Sequence, residues 1–401
     1  MYEVIFNTHD VVLLMTAYQC ILFALLLLTI KREHYIRNVF LAFFLLQQAA
    51  IPLDILISFG AEFRHVAIEW SPNLFYVFGF GYWLEGPLLL WYTRSLIYKN
   101  YRLRVTDIIY LMPFILYVGY QLIFYYSLDV SDKKVIQEEY DLHLAPQIMN
   151  YVTLFREVFR VALGVICLIE IKRYTQHIHT NFSDIDKIDL TWLKILVTGF
   201  LAIRTWAVIV AAMIILSISF GIKTDFETMG LLGNYITFLL VSVLIFFGLG
   251  HSSVFEGLEQ RSSNESEPIK DEQEPENQKD KIRPELIEQV GRYMEAQKPF
   301  LTPALTLEKL AGQMRLQPRL LSNIINRHFD CNFFEFINSY RVEEAKRMLA
   351  DEKHADKTML DIMLDVGFNS KATFNTLFKK KVGMTPSEYR KSVQSVATQS
   401  I

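Results

Sequence analysis

The feature that most constrains this chain is a series of long apolar segments within its first 250 residues. Residues 11–30, VVLLMTAYQCILFALLLLTI, are uncharged and long enough for a helix that crosses the roughly 30 Å hydrocarbon core of a bilayer. Six further candidates follow, at about 38–59, 74–98, 107–128, 151–171, 192–220 and 229–250. We therefore predict that residues 1–250 form a sensor domain built as a bundle of seven transmembrane helices.

The first apolar run could also be a signal peptide, and its flanks decide between the two interpretations. The residues before it, MYEVIFNTHD, contain no Lys or Arg, and the residues after it, KREHYIR, contain no small-residue cleavage site. We expect the run to be retained as a helix.

Lys and Arg residues in the short loops predict the orientation of the bundle. With the N-terminus outside, the inner flanks carry eleven Lys and Arg residues and the outer loops four. The inner ones are Lys31, Arg32, Arg37, Arg94, Lys99, Arg102, Arg104, Lys172, Arg173, Lys187 and Lys194, and the outer ones are Arg64, Lys133, Lys134 and Lys223. Seven spans then place residue 251 and everything after it in the cytoplasm.

Several ionisable residues fall inside the predicted spans. They are Glu85, Arg156, Glu157, Arg160 and Arg204. Charged groups at such depth are costly and usually face a bundle interior or a water-filled cavity. One interpretation is interhelical pairing, such as Glu85 with Arg204. The other is a polar pocket for a small-molecule signal, and the i,i+4 spacing of Arg156 and Arg160 on one helix face favours an anionic signal.

Residues 251–283 have the composition of a linker. They contain almost no large apolar residue after Leu258, and Ser, Glu, Gln, Asn, Pro and Lys dominate. Such a segment cannot bury enough surface to fold, so we predict an acidic disordered linker with a reach of roughly 30–35 Å. It could serve as a plain tether or as a site of proteolytic release.

Helical periodicity returns at Pro284, and residues 306–329 predict a first helix-turn-helix. Thr306 is a good N-cap for LEKLAGQM, and Pro318 suits the first position of RLLSNIINRHF after a turn at 315–317. Residues 333–350, FFEFINSYRVEEAKRMLA, then predict a helix about 27 Å long.

A second helix-turn-helix follows this long helix. Thr358 is expected to cap MLDIMLDV, Gly367 to allow the turn, and Ser370 to cap KATFNTLFKKK. The sequence Thr-Pro-Ser-Glu at 385–388 predicts a last helix that begins with a capping box. We expect the domain to end at 391 and residues 392–401 to form a disordered tail.

The C-terminal residues resemble the AraC/XylS family of bacterial transcription regulators. The resemblance covers roughly residues 284–391, and its motifs are LTLEKLA (305–311), FINSYRVEEAKRML (336–349), DIMLDVGF (361–368) and FNTLFKKKVGMTPSEYR (374–390). In that family two helix-turn-helix units joined by a rigid helix enter successive segments of the major groove. A joining helix of 27 Å agrees with this arrangement, since successive major-groove segments on one DNA face are one turn, about 34 Å, apart. The implied fold class is all-α, with a seven-transmembrane bundle followed by a cytoplasmic AraC-like domain.

The resemblance also implies roles for individual residues. Base reading would come from Arg319, Ser322 and Asn323 in the first unit and from Lys371, Asn375 and Thr376 in the second. Phosphate contacts position the protein on the duplex but do not read its sequence. They would come from Arg327, Lys379, Lys380 and Arg390. The chain departs from the family pattern at Asn326, Ala372 and Thr376, so no base preference is carried over.

These observations predict a transcription regulator in the bacterial inner membrane that couples a sensed signal to gene expression. The expected partners are double-stranded DNA, the lipid bilayer, RNA polymerase, a second copy of the chain and a small-molecule signal. No cofactor, metal or enzymatic activity is expected, because the sequence contains no HExxH, CxxC, GxSxG or P-loop motif.

The alternative is a transporter- or receptor-like membrane protein whose basic helical tail, residues 281–391 with a net charge of +5, is only an interaction module. Transporters of this kind show paired broken helices in two related halves. Here only one such break is expected, at Glu85-Gly86-Pro87.

Overall fold

The computed structural model describes residues 7–29, 35–98, 101–139, 147–186, 188, 190–221, 226–250 and 284–399. They form helices joined by turns and loops, so the all-α prediction is confirmed. The chain divides into an N-terminal unit, Met1–Lys172 with Leu190–Glu259, and a C-terminal unit, Arg173–Asp189 with Gln260–Ile401. The predicted linker 251–283 and Lys187 lie outside the described residues.

The N-terminal unit contains long helices with shorter ones between them. They are α1 (Thr8–Thr29), α2 (Tyr35–Phe59), α3 (Ala61–Trp70), α4 (Phe80–Ile97), α5 (Met112–Gln121), α6 (Val130–Glu138), α7 (Gln147–Asn181, which continues into the C-terminal unit), α8 (Thr191–Phe220) and α9 (Phe226–Gly250). Short 3-10 helices at Pro72–Leu74 and Val105–Leu111 and a π-helix at Leu122–Tyr126 join some of them. Helix α1 packs against α2 and α9, α2 against α4, and α8 against α9.

Helix α4 continues through the Gly86-Pro87 pair, so the break predicted there is wrong. A Cβ atom on Gly86 would lie 2.6 Å from Leu163 Cδ1 of α7. Such a contact is shorter than packed atoms allow, so the glycine permits a close approach of the two helices. The pair therefore marks a packing site rather than a helix break.

The predicted count of seven spans is not supported. Among the described residues, five helical segments are long and apolar enough to cross a membrane: Thr8–Thr29, Ile36–Phe59, Val105–Tyr126, Thr191–Phe220 and Thr228–Ile245. The other two predicted spans, 74–98 and 151–171, correspond to α4 and α7. Both are helical, but charged side chains such as Glu85, Arg94 and Glu170 lower their mean hydropathy.

The C-terminal unit is a series of shorter helices. They are α10 (Pro284–Gln297), α11 (Leu307–Met314), α12 (Pro318–His328), α13 (Phe333–Ala350), α14 (Met359–Asp365), α15 (Lys371–Val382) and α16 (Pro386–Gln399). Helices α11 and α12 form the first helix-turn-helix and α14 and α15 the second, at the predicted positions. The 18 residues of α13 join them.

Two separate hydrophobic cores stabilise the C-terminal unit, and α13 contributes to both. Its first half supplies Phe336 and Ile337 to the core that α10, α11 and α12 cover. Its second half supplies Val342 and Ala345 to the core that contains Phe378 of α15. Because one rigid helix is shared, the spacing of the two helix-turn-helix units is set by α13.

The predicted helix starts are confirmed. Thr306 Oγ1 accepts a hydrogen bond from the Lys309 amide at 3.2 Å, and Ser370 Oγ accepts one from the Thr373 amide at 3.3 Å. Each such cap stabilises a helix by about 1 kcal/mol. Pro318 occupies the first turn of α12, where its missing amide proton costs nothing.

Gly367 makes the turn between α14 and α15, as predicted. Its φ of +92° lies in the region that side chains with a Cβ rarely adopt. A Cβ there would also lie 2.8 Å from the carbonyl oxygens of Phe300 and Leu301. Both the backbone conformation and the close approach therefore require glycine.

Two stretches of the chain differ from the predicted boundaries. Helix α16 continues to Gln399, so the expected disordered tail is helical over 392–399, a stretch without Gly or Pro to stop it. Residues 400–401 lie outside the described residues. Residues 173–189, expected within the sensor domain 1–250, belong instead to the C-terminal unit.

Candidate nucleic-acid interface

Helix α12 presents the predicted base-reading residues of the first unit to solvent. Leu321, Ile324 and Ile325 are fully buried and hold one face of the helix against the first core. Of the predicted residues, Arg319 is exposed and Ser322 and Asn323 are half-buried on the other face, while the predicted phosphate contact Arg327 is exposed in the last turn.

Helix α15 is arranged in the same way in the second unit. Phe374 and Phe378 anchor it in the second core. The predicted base-reading residues lie on its outer side, with Lys371 and Thr376 exposed and Asn375 half-buried. Lys379 and Lys380 are exposed in the last turn, where positive charge complements the helix dipole.

Arg390 occupies a different environment from the other predicted phosphate contacts. It is half-buried, and its Nη1 donates a hydrogen bond to the Lys357 carbonyl at 2.8 Å. This bond ties α16 to the residues just before α14. Arg390 therefore has a structural role that its position in the sequence did not indicate.

Residues 173–189, here called the docking segment, pack onto the helix-turn-helix units through their described part, 173–186 and 188. The Ser183 amide donates to the Leu305 carbonyl at 3.1 Å, directly before α11. Ile178 and Ile185 form a small apolar cluster with Phe334 of α13, against which Leu377 of α15 is packed. The docking segment thus contacts elements of both helix-turn-helix units.

Arg341 of α13 is the polar centre of this contact. It is fully buried, and its Nε and Nη2 donate to the carbonyls of Phe300 at 2.7 Å and Thr302 at 2.9 Å. Nη2 also donates to Ser183 Oγ at 3.3 Å. Burial lowers the pKa of Arg341 to about 10, an effect that the charge of Asp184 partly offsets, so the guanidinium stays protonated at neutral pH.

Two carboxylates of the docking segment bind the start of α15, the second of the two predicted reading helices, α12 and α15. Asp184 Oδ2 accepts a hydrogen bond from Asn369 Nδ2 at 2.7 Å, and Asp186 Oδ1 accepts one from Thr373 Oγ1 at 2.5 Å. Thr373 lies between the predicted base-reading residues Lys371 and Asn375. The sequence did carry a signal for this contact, because Phe182, Ile185 and Ile188 are large apolar residues in a supposed loop.

The five predicted ionisable residues of the N-terminal unit come together in its interior. Arg160 Nε donates to Glu85 Oε2 at 2.5 Å and its Nη1 to Glu157 Oε2 at 2.8 Å. Arg156 pairs with Glu157 at 2.9 Å, and Arg204 Nε lies 3.3 Å from Glu85 Oε2. The predicted pairing of Glu85 with Arg204 is present, but Arg160 is the closer partner.

A cavity of about 220 Å³ lies beside this cluster. Its polar lining includes Gln48, Tyr82, Arg156, Glu157 and Arg204, and the rest is mostly apolar. The Arg156 guanidinium stacks on the Tyr82 ring, 4.1 Å from its centroid. Ion pairing and a pocket, which the sequence left as alternatives, therefore occur together.

Comparison with known proteins finds a family match for most of the helical part of the C-terminal unit. The family model described as "Helix-turn-helix domain" matches residues 310–392. The C-terminal unit contains a helix-turn-helix domain. This match begins within α11 and includes α12 and α15. No solved structure matches the chain.

The curated relatives match a stretch of similar length. The melibiose operon regulatory protein of Escherichia coli strain K12 is 34% identical over 91 residues, 23% of this chain and 29% of that protein. The uncharacterized HTH-type transcriptional regulator YtdP of Bacillus subtilis is 33% identical over 92 residues, 23% of this chain and 12% of that protein. This chain thus spans less than a third of the length of either relative. Both are named as regulators, in agreement with the expectation that the chain is not an enzyme.

Proposed function

We propose that the chain is a membrane-embedded, sequence-specific DNA-binding transcription regulator that couples a signal sensed in the N-terminal unit to gene expression. One observation carries this proposal. Two capped helix-turn-helix units share one rigid helix, α13, and each keeps the polar side of its second helix away from its core.

Charge supports DNA as the partner of this surface. Residues 281–391 carry 19 Lys and Arg and 14 Asp and Glu, a net charge of +5. Exposed lysines near the end of α15 are suited to phosphates, whose contacts dominate affinity and make it fall with salt. Polar residues earlier in the reading helices are suited to base edges.

Replacing a base-reading residue should affect specificity, whereas replacing a phosphate contact should affect affinity. Arg319→Ala or Asn375→Ala is expected to lose about 1–3 kcal/mol of discrimination at one base position if the contact is bidentate. Lys380→Ala should weaken all duplexes alike and reduce the salt slope by about one. Competition binding with duplexes that vary one position at a time measures both effects.

Lys353→Ala is the matched control, because Lys353 is exposed in the turn after α13, outside both reading helices. It should leave both specificity and salt slope near those of the parent. If Arg319→Ala and Asn375→Ala weakened every duplex equally, their base-reading role would be wrong.

The distribution of polar and apolar side chains in the N-terminal unit supports membrane embedding. Its interior holds the buried polar groups Gln47, Gln48, Glu85, Glu157 and Arg160. Its outer surface exposes large apolar side chains on several helices, including Leu22, Phe43, Leu116, Ile123, Phe155, Ile195 and Leu239. Buried polar groups combined with an apolar exterior are stable in lipid, and such an exterior is unfavourable in water.

The cavity beside Arg156 is our proposed signal site. The expected preference for an anion rested on the position of Arg156 and Arg160 on one helix face, but both arginines pair with Glu157. The reason for an anionic ligand is thereby removed. A small polar molecule that hydrogen-bonds polar lining groups such as Arg156 and Asn234 suits the cavity.

Variants of the two arginines should separate sensing from folding. Arg156→Gln changes a residue at the cavity that keeps 20% of its side chain exposed, so it should alter the signal response and leave protein abundance unchanged. Arg160→Gln should lower abundance, because it removes the closest cation from the buried carboxylates Glu85 and Glu157, and breaking a buried ion pair costs about 3–5 kcal/mol. Promoter-reporter response and membrane immunoblots of both variants measure these effects. A normal response from an abundant Arg156→Gln protein would contradict the proposed signal site.

A further inference from the structure

The docking segment occupies the part of the second helix-turn-helix that would meet DNA. In a bound helix-turn-helix, the N-terminal residues of the second helix contact base edges, and the first helix crosses the phosphate backbone. Here Asp186 accepts a hydrogen bond from the hydroxyl of Thr373, the third residue of α15. Asp184 accepts one from the side-chain amide of Asn369, just before that helix. Two carboxylates therefore lie where anionic DNA would approach.

Several independent interactions hold the docking segment in place. Ser183 is buried, and its carbonyl accepts from Asn338 Nδ2 at 3.0 Å while its hydroxyl accepts from Arg341. Phe182 forms an antiparallel bridge with Thr306, the N-cap of α11. The buried apolar side chains Ile178 and Ile185 add hydrophobic burial. Burial of backbone, polar and apolar groups together distinguishes a specific contact from a loop lying on a surface.

We propose that residues 173–189 are an intramolecular partner of the DNA-binding unit and compete with DNA for the start of α15. This inference rests on the proposed function. Carboxylates can take the place of phosphates, because the start of a helix attracts anions and hydrogen-bond donors point outward there. The form of the protein in which residues 173–189 make these contacts, here called the docked form, is then the form that does not engage DNA fully.

The position of the docking segment in the chain suggests how it is released. It begins within α7, which runs without interruption from Gln147 to Asn181, and it ends just before α8 begins at Thr191. Both ends are therefore fixed to helices of the proposed sensor. A signal that shifts these helices would move Asp184 and Asp186 away from α15 and raise the fraction of the chain competent for DNA.

Removal of the two carboxylate charges tests the competition. The full chain carrying Asp184→Asn and Asp186→Asn is expected to bind DNA about tenfold more tightly than the parent, because the competent fraction rises. The charge-matched control is Glu295→Gln with Asp356→Asn, two exposed carboxylates of the same unit outside the contact. This control should change DNA affinity only as much as the removal of any two negative charges from the unit would. Equal effects of the two pairs would overturn the proposal.

A cross-link tests the docked form without relying on charge. In the full chain, Asp184→Cys and Asn369→Cys should react with a short, reducible, thiol-specific cross-linker in detergent micelles, and the parent treated in the same way controls for native cysteines. We expect the cross-linked protein to lose DNA affinity and the reduced protein to recover it. Undiminished binding by the cross-linked protein would overturn the competition. If the cross-link forms but no variant binds any duplex, the DNA-binding proposal fails and the docking contact stands.

Discussion

Replacing Arg341 with Met is expected to destabilise the C-terminal unit by about 3 kcal/mol or more, since each buried acceptor left without a donor costs about 1–3 kcal/mol. The substitution removes the donors to the carbonyls of Phe300 and Thr302 and to the Ser183 hydroxyl. Hydrogen–deuterium exchange of the full chain should show faster exchange over α13 and over residues 173–189.

Arg347→Met on the same helix is the matched control. Its side chain is 72% exposed and its pair with Glu344 lies on the surface, so its loss should cost less than about 1 kcal/mol. If Arg341→Met left the exchange of residues 173–189 as slow as in the parent, Arg341 would not anchor the docking segment.

Replacing Phe378 with Ala is expected to cost about 3–5 kcal/mol and to act on the second helix-turn-helix alone. Phe378 is fully buried in the second core, where it contacts the Phe374 and Tyr389 rings. The first core contains none of these residues. Helix α15 should therefore lose protection while α12 keeps it, and a DNA footprint should shrink to the first half-site.

Leu364→Ala provides the comparison for Phe378→Ala. Leu364 lies in α14 of the same helix-turn-helix unit but is 50% exposed, so little packing is lost. Its exchange pattern and footprint should match those of the parent. Equal loss of both half-sites in Phe378→Ala would show that the two units fold as one and that their cores are not separable.

Features set by near neighbours in the chain could be predicted from the sequence. The starts of α11, α14 and α15 follow from Thr306, Thr358 and Ser370, whose side chains accept from amides three residues later. Gly367 and Pro318 act through their own backbone geometry. Both helix-turn-helix units and the length of α13 therefore followed from local patterns.

The docking segment could not be predicted in this way. Arg341 and Ser183 are 158 positions apart, and no periodicity joins them. On a helical pattern Arg341 resembles any other charged helix residue, yet it is fully buried. Apolar residues at 182, 185 and 188 indicated that this loop packs against something, but not what it packs against.

The N-terminal unit shows a different limit of prediction. The segments themselves were recognised, but α4 and α7 carry charges that pair inside the unit. Besides the Glu85 cluster, Arg94 pairs with Asp107 at 3.0 Å and with Glu170 at 2.9 Å. Composition alone cannot separate such helices from spans, because the energetic cost of each charge depends on its partner.

The most direct measurement is selection of duplexes from a random library by the purified full chain. We expect enrichment of a site with two short sequence blocks about 10 base pairs apart, one for each reading helix. Binding to that site should fall steeply as salt rises, and Arg319→Ala and Asn375→Ala should each relax one block. Recovery of no common sequence, with equal affinity for all duplexes at every salt concentration, would contradict a sequence-specific DNA-binding regulator.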